Sequence, residues 1–168
     1  EGFLQLMKLS TRLQTQKEEL TIEELAAYAA DCIVITSGAE DVLYALLVRE
    51  DEAGLRRYLQ QLQRTFTHLA VGITRNDSRF LAQRNQLLRK AADEMGITRV
   101  ALAIICYQSA ADEEAYRVLC AIDQGQLVDD KTLTTASGRW FRSKAEMAQL
   151  YEQKELEASD AIAARCNV

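Results

Sequence analysis

Cys32-Ile33-Val34-Ile35-Thr36 is an unbroken apolar and β-branched run closed by Ser37-Gly38, and its reading decides the fold. Such a run, with no polar alternation, predicts a strand buried on both faces, the kind found in parallel sheets flanked by helices. On its N-terminal side, Phe3, Leu6, Met7, Leu9 and Leu13 recur at helical spacing and predict a first helix that fades into the polar run Gln14 to Glu19. Thr21-Ile22-Glu23-Glu24 then has the form of a capping box, opening a helix over about 22–30.

On the C-terminal side the alternation repeats. Helices at about 40–48 and 52–65 lead to a strand from His68 to Thr74, a long helix at about 77–95 and a strand from Arg99 to Cys106. Strand and helix in alternation predict an α/β fold, mostly parallel strands flanked by helices. Ser109 to Gly125 reads as a helix with Ala115, Val118, Leu119 and Ile122 on one face and Gly125 as its stop. An irregular connection over 126–138 follows, and Trp140-Phe141-Arg142 reads as a short extended piece. Ser143-Lys144-Ala145-Glu146 is a second capping box, opening a helix to about 152, and a last helix at about 154–165 completes a helical end over 139–168.

Composition narrows the function classes. The 168 residues suit one domain or a large part of one, and 48% hydrophobic residues suffice for a core. With 25 acidic against 20 basic side chains the net charge is −5, which excludes a globally basic nucleic-acid binder. There is no proline and there are only seven glycines, which excludes collagen-like and linker-dominated chains. Cys32, Cys106, Cys120 and Cys166 form no C-x-x-C pair and read as reduced thiols of a cytoplasmic protein. Glu1 stands where a start methionine would, with no signal-peptide pattern, so a cut N-terminus is expected. The longest strongly apolar stretch, Val100 to Tyr107, is far short of the roughly 20 residues a membrane helix needs.

Few residues suggest chemistry. His68 is the one histidine, so a His-rich metal centre or a Ser/His/Asp triad has little to draw on; it reads as an ordinary structural histidine. Ser37-Gly38-Ala39-Glu40-Asp41 could place a phosphate on helix amides, but Glu40 and Asp41 would repel it, and a turn capped by Ser37 is the simpler reading. Arg75, Arg79, Arg84, Arg89, Lys90 and Arg99 outweigh Asp77, Asp93 and Glu94 by +3. That is a weak candidate for phosphate-backbone contact, against the alternative of a solvated helix face. Glu113, Glu114 and Arg117 read as an exposed set, with Glu113 and Arg117 a helical i,i+4 pair.

Several strings carry a family resemblance. They are Glu1-Gly-Phe-Leu-Gln-Leu-Met-Lys-Leu9, Ile33-Val-Ile-Thr-Ser-Gly38, Ala115-Tyr-Arg-Val-Leu-Cys-Ala-Ile-Asp-Gln-Gly125, Leu127-Val-Asp-Asp130, Phe141-Arg-Ser-Lys-Ala-Glu-Met-Ala-Gln-Leu150 and Ala161-Ile-Ala-Ala-Arg-Cys-Asn-Val168. In this order they resemble the later part of the PHP (polymerase and histidinol phosphatase) domain of bacterial DNA polymerase III alpha subunits. The resemblance implies part of a distorted (β/α)7-type barrel inside a replicative DNA-directed DNA polymerase, with the rest of the polymerase chain as partner.

It also implies a lost metal site. Where family members with an intact centre read Ser-Gly-Cys and Asn-Asp-Val-His-Tyr, this chain has Ser37-Gly38-Ala39 and Ala103-Ile104-Ile105-Cys106-Tyr107. Ala39, Ile104 and Cys106 thus stand at vestigial ligand positions, and a segment with no metal cofactor and no catalytic residue is expected. Its role would be structural, or docking, for instance of a proofreading exonuclease. The family often has proline where Thr98, Ala110 and Lys144 stand, a further mark of divergence. Two rivals remain: a metal-dependent phosphoesterase or 3′–5′ exonuclease with atypical ligands such as Cys106, Glu40, Asp41 and His68, and an interaction module unconnected with replication. Missing barrel strands would leave the 33–37 strand with an open edge and an apolar surface prone to self-association.

Overall fold

The computed structural model describes residues 1–16, 19–37, 41–74, 79–135 and 137–166, with side chains for all of these except 16 and 79–84. Three strands, β1 (Val34–Thr36), β2 (Leu69–Thr74) and β3 (Thr98–Leu102), form one parallel sheet in the order β1-β2-β3. Helices α1 (Gly2–Gln16) and α2 (Ile22–Ala26) precede it, and α3 (Val42–Val48) and α4 (Glu52–Thr65) connect β1 to β2. Helix α5 (Arg79–Glu94) connects β2 to β3, and α6 (Glu113–Gln124), α7 (Lys144–Leu150) and α8 (Gln153–Arg165) follow. The α/β reading holds, as a three-stranded parallel sheet with helices rather than a closed barrel.

Both capping boxes form. Thr21 Oγ1 accepts from Glu24 N at 3.2 Å and the Glu24 carboxylate accepts from Thr21 N at 2.9 Å. Ser143 and Glu146 repeat the exchange at 3.3 and 2.8 Å. Helix α2 nonetheless stops after five residues, shorter than the helix over 22–30 that the spacing predicts. Helix α6 ends as expected at Gly125, whose φ of 62° is the left-handed value that glycine adopts without a Cβ clash.

The core lies where α3, α4 and α5 meet β2. Leu43, Leu47, Leu55, Leu59, Val71, Ile73, Leu88, Ala91 and Ala92 form one buried cluster, joined by Ile97 and Tyr151. β2 is the buried strand, enclosed from Ala70 to Thr74. Gly72 lets its neighbours close in, because a Cβ there would collide with the Thr36 carbonyl. β1 departs from expectation: it is half-buried throughout, not enclosed on both faces. Among the described residues it pairs only with β2, and α1, the helix beside it, packs closely against none of the described elements. β3 is also shorter than predicted, ending at Leu102 because residues 103–106 leave the ladder and Cys106 N donates instead to the Arg139 carbonyl at 2.8 Å.

Two predicted faces turn outward or are rearranged. The α6 stripe of Val118, Leu119 and Ile122 faces solvent, with Ile122 71% exposed, while Ala121 is the buried residue of that helix. The Glu113–Arg117 pair does not form. Glu113 accepts from Tyr107 Oη at 2.8 Å and Ser137 Oγ at 2.7 Å, and Arg117 Nη2 donates to the Val128 carbonyl at 2.8 Å. The 126–138 connection is therefore tied back to α6 by side chains, with Gln124 and Thr134 adding a reciprocal pair at 2.8 and 3.1 Å.

Candidate functional site

In parallel α/β sheets ligands gather beyond the carboxyl ends of the strands. At that edge the described polar groups are turned on one another. Thr74 Oγ1 donates to the Ser37 carbonyl at 2.6 Å, and the buried Asn85 donates from Nδ2 to the Thr74 carbonyl at 2.9 Å. Asp41, rather than Ser37, caps α3, accepting from Tyr44 N at 2.8 Å, while Ser37 Oγ donates to Asp41 at 3.2 Å. Ala39, Glu40 and Arg75 lie outside the described residues.

Ile104 and Cys106 are both half-buried beyond β3. Tyr107 beside them forms a parallel bridge with Trp140, accepts from Arg139 N at 3.1 Å and donates to Glu113. Hydrogen bonds from Ser137, then Tyr107, then the Gly138 N–H hold the Glu113 carboxyl below its ordinary pKa. The Arg142 guanidinium lies 3.8 Å from the centre of the Trp140 ring, fixing the short extended piece that the sequence suggests.

His68 sits at the opposite edge, just before β2, exposed, with Arg165 Nη2 at 3.4 Å from Nδ1. The six residues of β2 separate the two edges, a length of roughly 20 Å at about 3.3 Å per residue. His68 therefore does not meet Asp41 or Cys106, and among the described residues no three His, Cys, Asp or Glu side chains converge as a metal would require.

The basic stretch is also rearranged. Arg89 does not lie on a free phosphate-facing surface: it clamps Glu155 with two bonds, Nε to Oε1 at 2.7 Å and Nη2 to Oε2 at 2.9 Å. Arg99 Nη1 reaches the same carboxylate at 3.2 Å, its Nη2 reaches Glu152 at 2.9 Å, and its Nε lies 3.1 Å from Asp93 as an ion pair. Glu155 is 0% and Arg99 4% exposed. A fully buried carboxylate is tolerable because two guanidiniums saturate it, and Glu155 in turn raises the Arg89 pKa further. Lys90 remains exposed, and the side chains of Arg79 and Arg84 lie outside the described residues. Sequence spacing does not reveal Glu152 and Glu155 as partners, because they are 53 to 66 residues from the arginines they bind; the one local sign is their own capping box at the start of α8.

At the outer edge of β1 an open groove of about 880 Å³ is lined by Phe3, Leu6, Cys32, Ile33, Ile35 and Ile162, among others. Phe3, Leu4, Leu6 and Met7 are each more than half exposed on α1. The open edge and apolar surface expected of the 33–37 strand are thus present among the described residues.

No protein-family model matches the chain. It aligns from end to end with DNA polymerase III subunit alpha of Halalkalibacterium halodurans, 29% identical over 185 residues that cover 100% of this chain and 15% of that protein. The chain is similar to bacterial DNA polymerase III alpha subunits. The Bacillus subtilis subunit matches equally, 29% identical over 174 residues, 99% of this chain and 15% of its own length. The chain thus spans about 15% of the length of the relatives it matches. No described helix is long and apolar enough to cross a membrane.

Proposed function

We propose that the chain is a segment of a replicative DNA polymerase alpha subunit and forms there a degenerate PHP-like domain with a structural and docking role. The observation that carries this reading is the similarity to two alpha subunits over 100% and 99% of this chain and only 15% of theirs. The alternation of helices with parallel strands supports it, since a barrel of that kind is assembled from such units.

The donors at the carboxyl edge argue for loss of the metal site. The aliphatic Ile104 offers no lone pair, Cys106 is a soft donor, and His68 stands at the far edge. That set does not suit a hard divalent cation, which takes oxygen and imidazole ligands. What remains is scaffolding. The groove along β1, with its unpaired strand edge and apolar walls, is suited to further strand and helix from the rest of a polymerase chain. The exposed α6 stripe is a second surface, available to an accessory subunit such as a proofreading exonuclease.

Two measurements test this. Metal analysis and a Mg²⁺- and Mn²⁺-dependent nuclease assay on single-stranded DNA are expected to give neither stoichiometric metal nor cleavage; bound zinc or manganese with cleavage would overturn the loss of the site. Primer extension by a polymerase carrying this segment is expected to lose yield and thermal stability, not the intrinsic nucleotide-addition rate, when α1 and β1 are disrupted. An unchanged, fully stable polymerase would remove the scaffolding role.

A further inference from the structure

This acidic chain carries one concentrated basic segment. From Lys131 to Ala145 the sequence has Lys131, Arg139, Arg142 and Lys144 and no Asp or Glu, within a chain of net charge −5. Two aromatic residues, Trp140 and Phe141, stand between its arginines. The structure holds this piece extended beyond the carboxyl end of β3: Cys106 N donates to the Arg139 carbonyl at 2.8 Å and Phe141 N to the Tyr107 carbonyl at 3.1 Å. Side chains two residues apart on extended backbone share a side, and here the two sides differ. Trp140 and Arg142 form the inner one, stacked at 3.8 Å, with Trp140 Nε1 donating to Glu146 at 3.2 Å and Arg142 Nη2 to the Gly138 carbonyl at 2.7 Å. Arg139 and Phe141 form the outer one, and Phe141 is 67% exposed. Lys144 is exposed and Arg139 half-buried, and neither is in an ion pair among the described residues. The two carboxylates beside the piece, Glu113 and Glu146, are engaged by Ser137 and Tyr107 and by Ser143 and Trp140.

We propose that this segment is a binding site for single-stranded DNA, with Phe141 as the stacking platform for a base and Arg139 and Lys144 as the partners of the flanking phosphates. Aromatic rings alternating with cations suit a single strand, because its unpaired bases expose their π faces and its backbone supplies a charge at every nucleotide. A duplex keeps those faces inside, so the exposed ring has no role on it. Arg142 is held by Trp140 and Gly138 and orders the piece from within. The site stands at the strand-end edge where α/β proteins gather ligands, and it uses none of the arginines bound to Glu155. The choice of DNA over RNA rests on the polymerase reading; the stacking site does not.

Trp140 is the one tryptophan of the chain, so its emission reports on the site directly. The full chain is titrated against a short fluorescein-labelled oligothymidylate in dilute salt, with label anisotropy and Trp140 emission read together. Binding is expected in the range of about 1–100 µM typical of sequence-neutral contact, falling with salt at a log–log slope of about −1.4 for two phosphates. Phe141→Ala removes an exposed ring, so it is expected to leave the melting temperature unchanged while weakening binding about fivefold or more; Phe141→Tyr is expected to restore it. Arg139→Gln is expected to reduce the slope by about 0.7, and Lys90→Gln, on the exposed side of α5, to change neither. An abasic oligomer with the same phosphates is expected to bind the wild-type chain as weakly as oligothymidylate binds Phe141→Ala. No anisotropy change up to about 100 µM, binding indifferent to Phe141→Ala, or an unmoved Trp140 emission overturns the proposal. An equal loss in Lys90→Gln would show diffuse charge in place of this site and overturn it too. Tighter binding of oligouridylate would give the ring to RNA and overturn the assignment to DNA, without touching the similarity to alpha subunits.

Discussion

The two outer strands of the sheet are finished in opposite ways. Beside β3, the Ala101 carbonyl accepts from Ser159 Oγ at 3.0 Å and the Leu102 carbonyl from Tyr151 Oη at 2.9 Å. Next to them Glu155 locks α8 to α5 and β3 through Arg89 and Arg99. Beside β1 there is a groove, a loosely held α1 and a row of exposed apolar side chains. A strand edge presents unpaired amides and carbonyls, and a protein either covers it or leaves it as a place to pair. The difference leaves β3 covered and β1 open along its outer edge.

The sharpest way to break the completed side is to remove its buried anion. Glu155→Ala leaves Arg89 and Arg99 partly or wholly buried without their shared carboxylate, and loss of one partner of a buried pair costs about 3–5 kcal/mol. Urea unfolding is expected to show that loss, with α8 detached from β3 in hydrogen exchange. A change under about 1 kcal/mol, the range of exposed pairs, would mean that the clamp is not the seal it resembles. A smaller effect attends Tyr151→Phe, which keeps the ring in the core but leaves the Leu102 carbonyl unpaired, a loss of about 1–3 kcal/mol. Among the described residues no side chain is bonded to the β1 backbone in this way, so an equal cost for trimming any exposed α1 residue would erase the contrast.

Acid probes the same asymmetry through α6. The folded-state pKa of Glu113 is lowered by Ser137, Tyr107 and Gly138, so its contribution is present above the ordinary glutamate value of about 4.3 and is lost as pH falls through that value toward the lower folded one. Glu24, Asp112 and Glu146 are shifted the same way by their caps. The melting temperature is therefore expected to fall as pH drops below about 5, and Glu113→Gln to flatten part of that fall. An identical pH profile for the variant would show that the 126–138 connection is not held by this carboxylate.

How far the sequence foretold this contrast depends on distance along the chain. The capping boxes at Thr21 and Ser143, the Gly125 stop and helix α4 over 52–65 are decided by residues within a turn of each other, and all appear as read. The half-buried state of β1 is not legible in its sequence, because an apolar run encodes preference for a sheet, not how many neighbours that sheet supplies. Arg89 reads as a surface cation because its partner is 66 residues away, and the packing of Tyr107 on Tyr116 likewise needs the loop that turns back from β3 to α6. At the candidate site the residue types Ile104 and Cys106 are legible one at a time; the Tyr107, Arg139 and Glu113 bonds around them are not.

The smallest effect on stability falls on the open side, and it is the most telling for function. Leu6 is 51% exposed on α1 and borders the β1 groove, so Leu6→Glu removes little that folding has buried and is expected to change the unfolding free energy by no more than about 0.5 kcal/mol, as surface substitutions do. The wild-type chain by itself, with no covering partner, is expected to associate at high concentration through this surface, and light scattering is expected to show that association weakened by the new charge. A wild-type chain that stays strictly monomeric would show that α1 and the β1 edge tolerate water as they stand. A variant that lost several kcal/mol would show instead that α1 belongs to the core, and the two edges would then differ only in the kind of side chain that closes them.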